Sequence, residues 1–209
     1  MKLRSIAIVL TLALASAAAH AQSGVYVTMD SQQFTQEGVN LTPASTGSQN
    51  IDRPWLFGPG FGIYYDVTRW PDIPKVGRLK TGPIVVGIDG RGDIFRSKIY
   101  GTQIDRMDGL FGLRFAPKAT FHGTTPYAFG DFGIGHTKTV HRTAYSNNMV
   151  FQFGIGVDKK IHKGIDWRVV EASAGFLRNY YTGYSQTGIG PNQSNYLVTL
   201  GTGLVFRIR

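Results

Sequence analysis

The chain is 209 residues long, with 22 Lys and Arg against 13 Asp and Glu and a net charge of +9. It has no cysteine, which excludes disulfides, zinc–thiolate sites and cysteine nucleophiles. Glycine is frequent at 27, with 3 Trp, 10 Tyr and 13 Phe, a composition of turns and close-packed strands rather than helices.

Residues 1–21 read as a cleaved export signal. Lys2 and Arg4 form a positive start, Ile6 to Ala15 an apolar run, and Ala19-His20-Ala21 a small-x-small cleavage site with Ala19 and Ala21 at its key positions. The run is too short to cross a bilayer as a helix, and no later segment offers about 18 consecutive apolar residues. Cleavage leaves residues 22–209, about one domain on length, with a charge of about +7. An exported basic protein meets anionic headgroups more readily than nucleic acid, which is not expected as a partner.

Beyond the signal the hydrophobic period is two, the mark of half-exposed strands. Val25, Val27 and Met29 alternate with Tyr26, Thr28 and Asp30. Residues 54–65 read as an aromatic, glycine-rich strand in which Pro59 lacks a donor. In 84–94, Ile84, Val86, Ile88 and Ile94 face away from Asp89, Arg91 and Asp93. In 106–115, Met107, Phe111, Leu113 and Phe115 face away from Arg106, Asp108 and Arg114. Ala128, Phe132 and Ile134 oppose Tyr127, Phe129 and Asp131 in 127–136. Met149, Phe151, Phe153, Ile155 and Val157 oppose Gln152, Gly154, Gly156 and Asp158 in 149–158. Segment 165–176 sets Asp166 and Arg168 against Ile165, Trp167 and Val169; Glu171 then falls on the apolar face, so a bulge or a register change is expected near Val170. The last strand, 195–208, sets Tyr196, Val198, Leu200, Leu204, Phe206 and Ile208 against Thr199, Gly201, Gly203 and Arg207.

Eight such strands predict an all-β fold, an eight-stranded antiparallel up-and-down transmembrane β-barrel. Connectors 35–53, 95–104, 137–147 and 177–194 would share one end. Connectors 66–82, 117–126 and 159–164 would share the other with both termini. The length of 66–82 departs from the short turns expected there.

Alternation alone does not say which face is inside. Three features point the apolar face outward, to lipid. The polar face mixes both charge signs with glycine, and eight strands enclose only enough room for side chains. Trp55, Tyr64, Tyr65, Tyr127, Trp167, Tyr196 and Phe206 sit near strand ends, where aromatic rings suit the membrane–water interface. The clean strands keep charge off the apolar face, where an arginine at mid-membrane costs about 2–4 kcal/mol. Asp89, Arg91, Asp93, Arg106, Asp108, Arg114, Asp131 and Arg168 are therefore expected to form a structural charge network in the lumen.

With this pattern the chain resembles the small outer-membrane β-barrels, such as the membrane domain of outer-membrane protein A. The local element is the terminal strand, where Thr199, Gly201, Leu204 and Phe206 follow the family's polar, glycine and hydrophobic spacing; a second register uses Gly203, Phe206 and Ile208. Arg168-Val169-Val170-Glu171, Asn195-Tyr196-Leu197 and Gly203 to Arg207 also look like a closing hairpin of that family. The resemblance implies an outer-membrane location in a Gram-negative-type bacterium. It implies insertion by the barrel-assembly machinery with periplasmic chaperones, and contact with outer-membrane lipids and lipopolysaccharide.

Catalytic, cofactor and metal sites are not expected. A lipid A deacylase of this class would need a His-x-Ser-Asn run, whereas Ser146 and Asn147 follow His141 by five and six residues in an expected outer loop. His136, His141 and His162 lack metal-ligand spacing. Arg96, Lys98, Lys138, His141 and Arg142 would present basic charge at the outer end, and Tyr180, Tyr181 and Tyr184 an aromatic loop. The expectation is a non-enzymatic protein with an envelope structural or surface-interaction role. The alternatives are a lipid A-modifying enzyme and a soluble secreted barrel with an apolar ligand.

Overall fold

A computed structural model describes residues 23–34, 39–40, 50–51, 55–69, 84–99, 102–118, 120–139, 145–183 and 194–208. The export segment, with Ala19 and Ala21, lies outside them, as do His141, Arg142 and Tyr184. The strands are β1 (Ser23–Phe34), β2 (Val39–Asn40), β3 (Asn50–Ile51), β4 (Trp55–Arg69), β5 (Ile84–Ile99), β6 (Thr102–Pro117), β7 (Thr124–Thr139), β8 (Tyr145–His162), β9 (Ile165–Gly183) and β10 (Ser194–Ile208).

Eight of these close into one antiparallel barrel in the order β1-β10-β9-β8-β7-β6-β5-β4. Closure leaves no edge strand with unpaired backbone groups. The barrel closes where the first strand β1 meets the last, β10, with Ser23 opposite Ile208 and Phe34 opposite Leu197. The short pair β2–β3 sits within the β1–β4 connector. At the end that holds Ser23 and Ile208, β8 turns into β9 through Lys163-Gly164, with Gly164 at φ 82°. Only glycine adopts that conformation without steric cost.

The strands run longer than the alternation indicated. β5 reaches Ile99 and β6 begins at Thr102, so the expected 95–104 loop is mostly ladder. β8 takes in Ser146 and Asn147, and β9 takes in Tyr180 and Tyr181, all four expected in loops. A strand tilted across a bilayer needs about 9–11 residues. Strands of 15 to 19 residues therefore project beyond an apolar belt. Polar residues such as Arg96, Ser97 and Lys98 pair through the backbone there and hide the strand from a hydrophobic-period reading. Pro59 stays in β4: the ladder to β1 runs through it, while pairing to β5 skips from Phe57 to Gly60.

The apolar faces point outward. Val27, Met29, Phe61, Ile63, Met107, Phe111, Phe132, Ile134, Phe153 and Ile155 are all more than half exposed, while Arg106 and Arg168 are 1% exposed. This is a protein core turned inside out, the arrangement of a barrel whose solvent is lipid.

Two of the aromatic positions do not lie at the interface as the sequence suggested. Tyr64 and Tyr127 are buried in the lumen, whereas Trp55, Trp167, Tyr196 and Phe206 are exposed on the outside. Both tyrosines fall on the inward phase of their strands, and proximity to a strand end says nothing about phase.

Candidate functional site

The lumen is built from the inward residues of all eight barrel strands. Arg91 on β5 meets three carboxylates: Asp89 at 2.9 Å, Asp131 at 3.0 Å and Glu171 at 2.6 Å. Arg168 on β9 meets Asp158 at 3.1 Å and Glu171 at 2.9 Å. Arg114 on β6 donates to Asp158 at 2.8 Å. Arg106 pairs with Asp108 at 2.7 Å and donates to Thr137 at 3.0 Å. Near the termini Arg207 pairs with Asp166. All eight residues of the expected lumen network thus face inward, and seven of them join ion pairs.

Asp93 is the exception. One carboxylate oxygen each from Asp93 and Asp30 and the Thr28 hydroxyl crowd together over Gly60, where a side chain would collide with all three. Thr28 donates to Asp30 at 2.6 Å. Among the described residues no arginine forms an ion pair with Asp30 or Asp93.

By strict alternation Glu171 would fall on the apolar face of β9. Between Arg168 and Glu171, β9 advances three residues while β10 advances two, from Gly203 to Gly201. On the other side Val157 pairs with Val170 and Asp158 with Arg168, so β9 carries one extra residue there too. The bulge expected near Val170 is this one, and it returns Glu171 to the lumen. Glu171 then bridges Arg91 and Arg168 and accepts a hydrogen bond from Tyr127. A bulge with an acid just after it was the available signal.

Aromatic rings support the arginines. The Arg114 guanidinium lies 4.1 Å from the Tyr64 ring centre and 4.2 Å from that of Tyr127. Arg168 lies 4.1 Å from Tyr26, and Arg91 4.2 Å from Phe129. These are cation–π distances in a place without bulk water. Each ring occupies space left by a glycine directly across the ladder: Tyr26 by Gly62, Tyr64 by Gly24, Tyr127 by Gly156 and Phe129 by Gly154. The sequence carries part of this pattern, since Gly24-Val25-Tyr26 is repeated as Gly62-Ile63-Tyr64.

Toward the end away from the termini the lumen also holds apolar side chains. Leu56, Phe95 and Ile104 form one buried cluster, and Leu110, Val150, Leu177 and Leu197 another. On β6 the Arg106–Asp108 pair lies between Ile104 and Leu110, so charged and apolar side chains fill the bore together. An eight-stranded barrel holds no more than this.

The network also sorts charge between inside and outside. Eight of the 13 acidic residues are buried inside, against the four arginines Arg91, Arg106, Arg114 and Arg168. The outer surface is correspondingly more basic than the net charge of +9 conveys.

The remaining candidates lie apart from the lumen. Thr199 and Gly201 point inward on β10, and Leu204 and Phe206 outward. His136 and His162 stand at opposite ends of the barrel. His136 Nδ1 lies 2.7 Å from the Asn147 side-chain oxygen.

Fold and site together define an eight-stranded transmembrane β-barrel with a plugged lumen. It shares this architecture with the attachment invasion locus protein Ail of Yersinia pestis, at a TM-score of 0.50 and 12% identity over 90% of this chain and 99% of that one. Neisserial surface protein A is similar at a TM-score of 0.50 and 12% identity, over 88% of this chain and 97% of its own. Identity at this level speaks to the fold alone. No family model and no curated protein matches the sequence.

Proposed function

We propose that this chain is exported and serves in the outer membrane of a Gram-negative-type bacterium as a non-enzymatic, non-conducting barrel. Its role is structural, or one of surface interaction through the connectors at the end away from the termini. The observation that carries this reading is the pairing of an apolar exterior with a lumen packed by ion pairs. Ion-paired side chains occupy the narrow bore of an eight-stranded barrel, which argues against conduction, and the exterior is unsuited to water. Residues 1–21, cleaved after Ala21, supply export. Thr199, Gly201, Leu204 and Phe206 supply the assembly signal on the last strand.

Fractionated cells test the location. The protein is expected in outer-membrane fractions, with a band that migrates differently in SDS before and after boiling. Recovery from the soluble periplasmic or culture fraction would defeat the proposal. The plug is tested separately with Arg91→Ala in planar bilayers. The variant should unfold at lower denaturant yet conduct no more than the parent; ion currents in the parent would show an open bore.

A further inference from the structure

Thr28, Asp30 and Gln32 follow one another on the inward face of β1, and Gly60 of β4 separates this row from Asp93 of β5. One oxygen each from Thr28, Asp30 and Asp93 lies within 2.5 Å of the point where a Gly60 Cβ would stand. Gly201 on β10 leaves the matching space on the other side of Asp30, since a side chain there would strike the same carboxylate. The two glycines make room for oxygens from β1 and β5 to approach one another.

This group of oxygens lacks a counter-charge. Asp93 is 8% exposed, and among the described residues it forms no hydrogen bond and no ion pair. Gln32 is 1% exposed; its amide nitrogen lies 3.4 Å from both Asp108 and Thr199, while its side-chain oxygen accepts no hydrogen bond among the described residues. Asp108 stands directly across from Asp93, so the Gln32 amide spans from the row of Asp30 to the neighbour of Asp93. Arg91 is taken by Asp89, Asp131 and Glu171, and Arg106 pairs with Asp108. The surplus of lumen carboxylates over arginines therefore falls at Asp30 and Asp93. Buried charge of one sign without a partner is costly, and a buried carbonyl oxygen without a donor adds to the cost.

We propose that Asp30 and Asp93, with the Thr28 hydroxyl and the Gln32 side-chain oxygen, bind one divalent cation of the calcium type inside the barrel. All four side chains offer oxygen, which suits a hard cation better than zinc or copper. Calcium holds its oxygens at about 2.3–2.6 Å and accepts irregular geometry, whereas magnesium demands a smaller, regular octahedron. Thr28 donates its proton to Asp30 at 2.6 Å, which leaves the hydroxyl lone pairs for the ion. With both carboxylates bidentate, these side chains supply the roughly six oxygens that calcium requires at the least. The ion offsets the surplus charge and ties β1 to β5 across β4, so the stability of the closed barrel follows the supply of calcium. The site needs only the closed barrel and is independent of the surface role proposed above for the connectors.

The test refolds the full mature chain in neutral detergent with calcium chloride or with a chelator, and the unheated band shift marks the closed barrel. Elemental analysis after desalting counts the bound metal. The parent should keep one calcium per chain and show a higher urea midpoint in calcium than in chelator. Asp93→Asn and Asp30→Asn should each weaken calcium retention more than about tenfold and lose the calcium-dependent part of the midpoint. In chelator Asp93→Asn should unfold no earlier than the parent, which separates loss of an ion from loss of structure. Asp105→Asn, which changes an acid on the outer face, should leave retention unchanged. Should Asp30→Asn fail to close, Asp93→Asn decides alone. A parent that keeps no calcium overturns the site, and is the result expected if the two acids share a proton instead. Equal retention by the parent and Asp93→Asn, or magnesium held as strongly as calcium, overturns it as well.

Discussion

Glu171→Ala is expected to lower the unfolding free energy by about 3–5 kcal/mol, the effect of removing one partner from a buried ion pair. The reason is geometric. Among the described residues Glu171 is the one carboxylate that binds both Arg91 at 2.6 Å and Arg168 at 2.9 Å, and it also accepts from Tyr127. Its removal leaves two arginines short of a counter-charge where water does not reach. Asp93→Asn should behave in the opposite way. Asp93 forms no ion pair with an arginine among the described residues and crowds Asp30 over Gly60. Replacing it by a neutral isostere relieves like-charge repulsion and should leave stability unchanged or raised. Urea titrations of the refolded protein in lipid vesicles measure both. If Asp93→Asn lost as much as Glu171→Ala, the lumen would depend on carboxylate number rather than on specific pairs.

Gly156→Val should cost about 3 kcal/mol or prevent closure, because the added carbon lands on the Tyr127 ring, 2.7 Å from Cε1. Tyr127 cannot give way easily. It flanks Arg114 at 4.2 Å and donates to Glu171, so a shift of the ring disturbs both. Gly109→Val is the matched control on the outer face, where the same change meets open space. The boiled-minus-unheated band shift and the urea midpoint should fall for the first variant and hold for the second. Equal behaviour of the two would mean that the aromatic–glycine contacts contribute little.

Much of the architecture was legible from residue order. Period-two alternation located eight strands, and the mixed charges at Asp89, Arg91, Arg106 and Arg114 marked the enclosed face. The break in phase at Glu171 announced its bulge. The strand extensions were not legible, since residues such as Arg96 and Lys98 are held by backbone pairing outside the belt, where no apolar face is required. Tyr64 and Tyr127 were misplaced for a different reason: nearness to a strand end suggested an interface, although their phase pointed them inward.

The sequence by itself determined which side chains share a face, because the pleat repeats every two residues and depends only on local order. It also determined the supply of acids and arginines for that face. Only the tertiary structure decided who meets whom. Arg91 on β5 reaches Glu171 on β9 because the closed barrel brings opposite walls within side-chain reach. The bulge turns that carboxylate inward, and Gly62 and Gly156 leave room for the Tyr26 and Tyr127 rings that stack on Arg168 and Arg114. Those contacts depend on strand number, tilt and register around the whole circuit, which no local pattern contains.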